Sequence, residues 1–152
     1  MVRLPLYCLL IGLAASQPSS ASCWQLAGKR YGIEPELLQA IAMAESGLHP
    51  AARNHNRDGS YDIGLMQINS RHLPALRQFS ITEQSLLGNP CVSVMTGAWL
   101  LAGFIQRYGY RWEAVGAYNA GNGSARAALR QRYIRRVLHY YTRLKVASRE
   151  PE

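Results

Sequence analysis

Residues 35–46 read PELLQAIAMAES, and this stretch decides the fold class. Pro35 stands where a helix needs no backbone N–H, and Gly47 follows the last turn, so the stretch is bounded as one helix. Leu37, Leu38, Ile41 and Ala42 precede Glu45 by eight, seven, four and three residues and share its face. An apolar face therefore carries a carboxyl near its C-terminal end. Burial and the negative end of a helix dipole both raise a carboxyl's pKa. A carboxyl that stays protonated near neutral pH is what a general acid requires. The alternative for Glu45 is a side chain rotated to the surface on the last turn.

Outward from this helix the chain is nearly all helical, without internal repeats or low-complexity linkers. Residues 23–31 form a short amphipathic stretch that stops at Gly32. Asn54 to Asp62 (NHNRDGSYD) is rich in turn formers, and Asp58-Gly59 is a hairpin signal. Ser80-Ile-Thr-Glu83 reads as a capping box for a short helix. Asn89-Pro90 opens a longer one that runs to about Tyr108, and Trp112 to Tyr118 is a further piece. Gly121-Asn-Gly-Ser124 breaks the chain and caps the last helix. That helix packs Tyr133, Ile134, Val137, Leu138 and Tyr141 at helical spacing and turns its arginines outward. The expected fold is mainly α: helices around a cleft, with one small β-hairpin.

The first 21 residues read as an export signal. Arg3 supplies a positive start, Leu4 to Ala15 is an apolar run, and Ser19-x-Ala21 fits a small-x-small cleavage site. The run is well short of the ~20 residues that span a bilayer, which argues against a membrane anchor. The mature domain is then 22–152 and keeps Cys23 and Cys91, which in an exported protein read as one disulfide. Lipidation of Cys23 is the alternative; Ser20 stands where lipoprotein signals usually carry Leu. The formal charge is +8, and eight of the basic residues lie from Arg126 onward. Such a balance implies an anionic partner, a cell wall or a nucleic acid, without choosing between them.

Beyond the signal the chain has only two aspartates, Asp58 and Asp62. Asp58 has a turn role beside Gly59. Asp62 falls on a strand, where Asp is disfavoured, and so is a second candidate for chemistry; a solvated strand residue is the alternative. The histidines lack zinc-type spacing. The segment from Asn54 partly imitates a calcium loop, but Leu65 stands where the bidentate Glu belongs. No metal or cofactor is expected, and no P-loop, dinucleotide fingerprint or Ser-His-Asp motif is present.

Three blocks in this order, Ala44-Glu45-Ser46, Gly64-Leu-Met-Gln67-Ile-Asn69 and Ala117-Tyr118-Asn119-Ala-Gly121, resemble the soluble lytic transglycosylases of goose-lysozyme-like fold. His55-Asn-Arg-Asp-Gly-Ser60, Asn89-Pro-Cys91 and Trp112 to Gly121 are most similar to the small invasion-protein type found with type III secretion, conjugation and type IV pilus machines. The segment from Asp58 to Ser70 is also similar to the hairpin of animal-type lysozymes, where the Asp matching Asp62 is the second catalytic carboxylate. Many lytic transglycosylases have no such aspartate.

The resemblance implies a lysozyme-like helical domain in the periplasm, with peptidoglycan glycan strands as substrate and secretion or pilus components as partners. Glu45 is implied as catalytic acid and base, and Asp62 as its companion. Ser46, Met66, Gln67, Asn69, Tyr118 and Asn119 match positions that line or shape the sugar-binding cleft; core packing is the alternative for Met66. The Cys23–Cys91 disulfide matches one in the closer relatives. In that family the acetamido group of the substrate assists, and the product is a 1,6-anhydro sugar. The rival readings are a hydrolytic lysozyme and a glycan-binding module without turnover. A nucleic-acid partner is prompted by charge alone, and the export signal argues against it.

Overall fold

A computed structural model describes residues 20–149, with side chains from residue 23 on. The export-signal reading of residues 1–21 lies outside them, apart from the backbone of Ser20 and Ala21, which begins the first helix. The elements in chain order are α1 (Ser20–Tyr31), α2 (Pro35–Ser46), β1 (Arg53–His55), β2 (Tyr61–Ile63), β3 (Ile68–Asn69), α3 (Leu73–Leu76), α4 (Glu83–Gly88), α5 (Pro90–Tyr108), α6 (Trp112–Ala120) and α7 (Ala127–Ala147).

Helix α2 has the bounds its sequence announces. Gly47 takes the left-handed conformation (φ 63°) and its N–H reaches back to the carbonyls of Ala42 and Met43, closing the last turn. Leu38, Ile41 and Ala42 are fully buried, and α2 is packed between α1 and α7. Around it lie Val94 and Leu101 of α5, Val137 of α7, and Ile63, Met66 and Ile68 of the sheet region. At Asn89 the side chain accepts from the N–H groups of Cys91 (3.0 Å) and Val92 (3.4 Å), which fixes the start of α5. Cys23 and Cys91 form a disulfide that ties α1 to α5 across 68 residues.

Four details differ from the sequence reading. The hairpin has a third strand: the order is β1-β2-β3, antiparallel throughout, with Asp62 paired to Asn54 on one side and Asn69 on the other. The cap of α4 is Thr82, not Ser80, and its reciprocal partner is Ser85. Ser80 instead adopts φ 58° and ends a 3-10 turn at Arg77–Phe79, so two more residues are needed before the chain re-enters a helix. Ser124 does not cap α7; it opens a 3-10 turn that leads into that helix, whose N-cap position, Arg126, makes no side-chain capping bond. Leu138 is exposed, since the buried stripe of α7 runs through Tyr133, Ile134 and Val137.

Gly64, between β2 and β3, is a position where only glycine fits without strain. Its φ is +73°, and an added Cβ would lie 2.6 Å from the carbonyl oxygen of Leu86. The sheet is thereby drawn against α4, with Asp62 held at a fixed place relative to the end of α2.

Candidate active site

Glu45 lies on the last turn of α2, half-buried, between the sheet on one side and α6 and α7 on the other. Burial raises its pKa above the ordinary carboxylate value and is the largest influence on it. The Tyr133 hydroxyl, the Asn119 amide and the charge of Arg136 act in the opposite direction, while the nearby Asp62 carboxylate adds to the rise. Asn119 donates from Nδ2 to Oε1 of Glu45 at 3.2 Å. The Tyr133 hydroxyl is buried without a well-formed hydrogen bond, close enough to the Glu45 carboxyl for each group to shift the other's pKa. Burial and the charge of Glu45 hold the phenols of Tyr133 and Tyr118 well above their usual pKa, so both stay neutral donors.

Asp62, on the central strand β2, accepts from the side-chain amides of Asn56 (3.1 Å) and Asn69 (2.7 Å). The Asn69 amide also reaches the Ser60 hydroxyl at 3.2 Å, and its Oδ1 accepts from the N–H of Arg71. Asp62 is thus fixed on the sheet by paired amides, in electrostatic reach of both Glu45 and Tyr118.

The remaining residues singled out by sequence brace this arrangement. Ser46 donates to the carbonyl of Leu65 at 2.7 Å and so joins the end of α2 to the β2–β3 turn. Gln67 is buried at φ 50°; its Nε2 donates to the carbonyls of Gly64 (2.8 Å) and Ala52 (3.3 Å), and its Oε1 accepts from Asn54 at 2.7 Å. Its amide is committed to the turn. Met66 is fully buried, its side chain packed on Gly97, while its carbonyl accepts from the Tyr118 hydroxyl at 2.8 Å. Tyr118 therefore pins α6 to the sheet.

The structure brings Glu45, Asp62, Tyr118 and Asn119 together, and adds Tyr133 and Arg136, which the sequence reading placed in the core and on the outer face. A signal for Tyr133 was available: a tyrosine on the buried face of a helix needs a partner for its hydroxyl. The apolar concavity lined by Tyr31, Phe79, Met95 and Trp99 contains none of these carboxyls. Among the described residues no three of His, Cys, Asp and Glu gather as metal ligands do, and no helix is long and apolar enough to cross a membrane.

Residues 22–140 match the family described as the transglycosylase SLT domain. The chain belongs to that family. Among similar proteins, this SLT transglycosylase is 47% identical to the invasion protein IagB of Salmonella typhimurium over 144 residues, covering 95% of the chain and 90% of the relative. It is 44% identical to protein IpgF of Shigella flexneri over 130 residues, 86% of each chain. An inactive mutant of the lytic transglycosylase Slt from Pseudomonas aeruginosa superimposes with a TM-score of 0.67 at 24% identity. The match covers 86% of this SLT transglycosylase but 24% of that longer chain, and it speaks for a shared lytic-transglycosylase fold.

Proposed function

We propose that the chain is a peptidoglycan lytic transglycosylase in which Glu45 acts first as general acid and then as general base. The observation that supports this best is the Glu45 carboxyl itself: half-buried, its pKa raised, with Asn119 donating to it and the Tyr133 hydroxyl and Asp62 nearby. In the first step neutral Glu45 gives its proton to the oxygen of the β-1,4 bond between N-acetylmuramic acid and N-acetylglucosamine. The C1–O bond breaks, and positive charge develops at C1 of the muramic acid. Asp62 stabilises that charge from the sheet. In the second step the 6-hydroxyl of the same sugar bonds to C1 and passes its proton to the Glu45 carboxylate. The 1,6-anhydro product forms without consuming water, and Glu45 is protonated again.

The amides of Asn119 and Asn69 hold the two carboxylates, and Tyr118 holds α6 against the sheet. Ser46 and Gln67 fix the turn between β2 and β3, so they shape the sugar cleft through the backbone. Asp62 also supports a second reading, because a carboxylate opposite the acid suits hydrolysis with water as the nucleophile.

Residues 1–21 direct export to the periplasm, and 22–152 form the working domain. The names of the relatives, invasion proteins among them, support a role in opening the wall locally for a secretion machine. The test is clearing of purified peptidoglycan by the mature protein. Activity in the wild type that is absent from folded Glu45→Gln supports the assignment; equal activity in the two ends it.

A further inference from the structure

The arginines of α7 have different fates. Arg130 spends its guanidinium on the carbonyls of Gly121 (3.1 Å) and Gly123 (2.8 Å), closing the turn after α6, and Arg126 reaches the carbonyl of Ala120. Arg136 has no such employment. Its guanidinium lies over the ring of Tyr133, 5.5 Å from the centroid, and that ring leads to Glu45. None of the ion pairs among the described residues includes Arg136.

A cation at this place works against a general acid, since its field favours the ionised form of Glu45. Among the described residues the one contact that uses the charge is the face of the Tyr133 ring, a weak attraction at an exposed site. The cost has a counterpart in the chemistry of the substrate. The glycan alternates a neutral sugar with muramic acid, whose lactyl ether ends in a carboxyl that is either free or joined to a stem peptide bearing carboxylates of its own. An exposed planar guanidinium lying over an aromatic ring, with its N–H groups uncommitted, is suited to receive such a group through paired donors. We propose that Arg136 is an anion subsite that takes a carboxylate carried on the muramic acid held over Glu45.

This rests on the transglycosylase reading above and adds a consequence to it. Once a carboxylate sits on Arg136, the cation's field at Glu45 is neutralised, and the bound strand itself favours the protonated acid. The other groups facing Glu45 are Asp62 from β2, Tyr118 and Asn119 from α6, and Tyr133 from α7. Both tyrosines are neutral, so among the described residues the charges that bear on Glu45 are those of Arg136 and Asp62.

The experiment compares wild type, Arg136→Gln and Arg136→Lys on soluble peptide-bearing strands and on strands stripped of peptide by an amidase, which carry free lactyl carboxylate. Binding of neutral chitohexaose serves as control. The expected result for Arg136→Gln is KM raised about tenfold with kcat near pH 7 undiminished, partial recovery in Arg136→Lys, and an unchanged Kd for chitohexaose. The alkaline limb of kcat should lie above that of kcat/KM in the wild type, and the two should converge in Arg136→Gln. An effect confined to the stripped strands assigns the free lactyl carboxylate, one confined to peptide-bearing strands assigns the stem, and an effect on both means that Arg136 takes whichever carboxylate the muramic acid carries. Wild-type KM in Arg136→Gln on both strands, or an equal loss toward chitohexaose, overturns the subsite. A wild type that cuts neither strand sinks the transglycosylase reading instead. The binding of those strands to Glu45→Gln protein, with and without Arg136→Gln, still decides Arg136.

Discussion

Asn119 and Glu45 stand 74 residues apart in the chain, and the Asn119 amide donates to Oε1 of Glu45 at 3.2 Å. The bond favours the carboxylate and so opposes the effect of burial. Removing it in Asn119→Ala leaves burial less opposed, and the pKa of Glu45 rises further. Activity that needs protonated Glu45 then persists to higher pH. The pH dependence of kcat/KM on purified peptidoglycan should show its alkaline limb moved upward relative to wild type; a limb moved downward contradicts the assignment.

Holding a carboxyl in this environment has a thermodynamic consequence. The folded-state pKa of Glu45 lies above the ordinary value of 4.5, so the fold favours the protonated form. The associated stability is fully present below about 4.5 and is lost as pH rises through the folded-state pKa. Glu45→Gln is neutral at every pH. Its Tm should exceed that of wild type above the folded-state pKa, with the margin closing as the solution is acidified. A margin independent of pH would mean that Glu45 has an ordinary pKa.

Gly64 tests how the sheet is seated. Gly64→Ala forces a Cβ to within 2.6 Å of the Leu86 carbonyl oxygen. This should cost about 1–3 kcal/mol in overpacking, and the left-handed backbone about 1–2 kcal/mol more. Gly59→Ala, at φ +81° with nothing within 4 Å of the added Cβ, should show the smaller backbone cost alone. Urea unfolding of the two variants measures the difference, and equal losses would refute the close approach.

The disulfide closes a loop of 68 residues between α1 and α5. Replacing both Cys23 and Cys91 by Ser should cost about 2–5 kcal/mol. A reducing agent should lower the Tm of the wild type and leave that of the double variant unmoved.

Where local chemistry is decisive, the sequence foretells the structure closely. Pro35 and Gly47 bound α2, and the Asn89 side chain opens α5. β3 escaped because two residues, Ile68 and Asn69, are too few to show alternation. Ser80 misled because its left-handed backbone, which side-chain identity does not announce, displaced the cap to Thr82. The contributions of Tyr133 and Arg136 depend on how α7 is laid against α2. Periodicity gives the buried stripe of a helix but not the residue it faces. Gln67 shows the reverse limit: its motif marks the site, while its amide is bound into the turn.

The most direct test of the central claim is mass spectrometry of the muropeptides that the mature protein releases from purified peptidoglycan, with Glu45→Gln and Asp62→Asn alongside. The mechanism predicts products lighter by one water than hydrolysis gives, none from folded Glu45→Gln, and a reduced yield from Asp62→Asn. Hydrated reducing ends from the wild type, or anhydro products from Glu45→Gln, would contradict it.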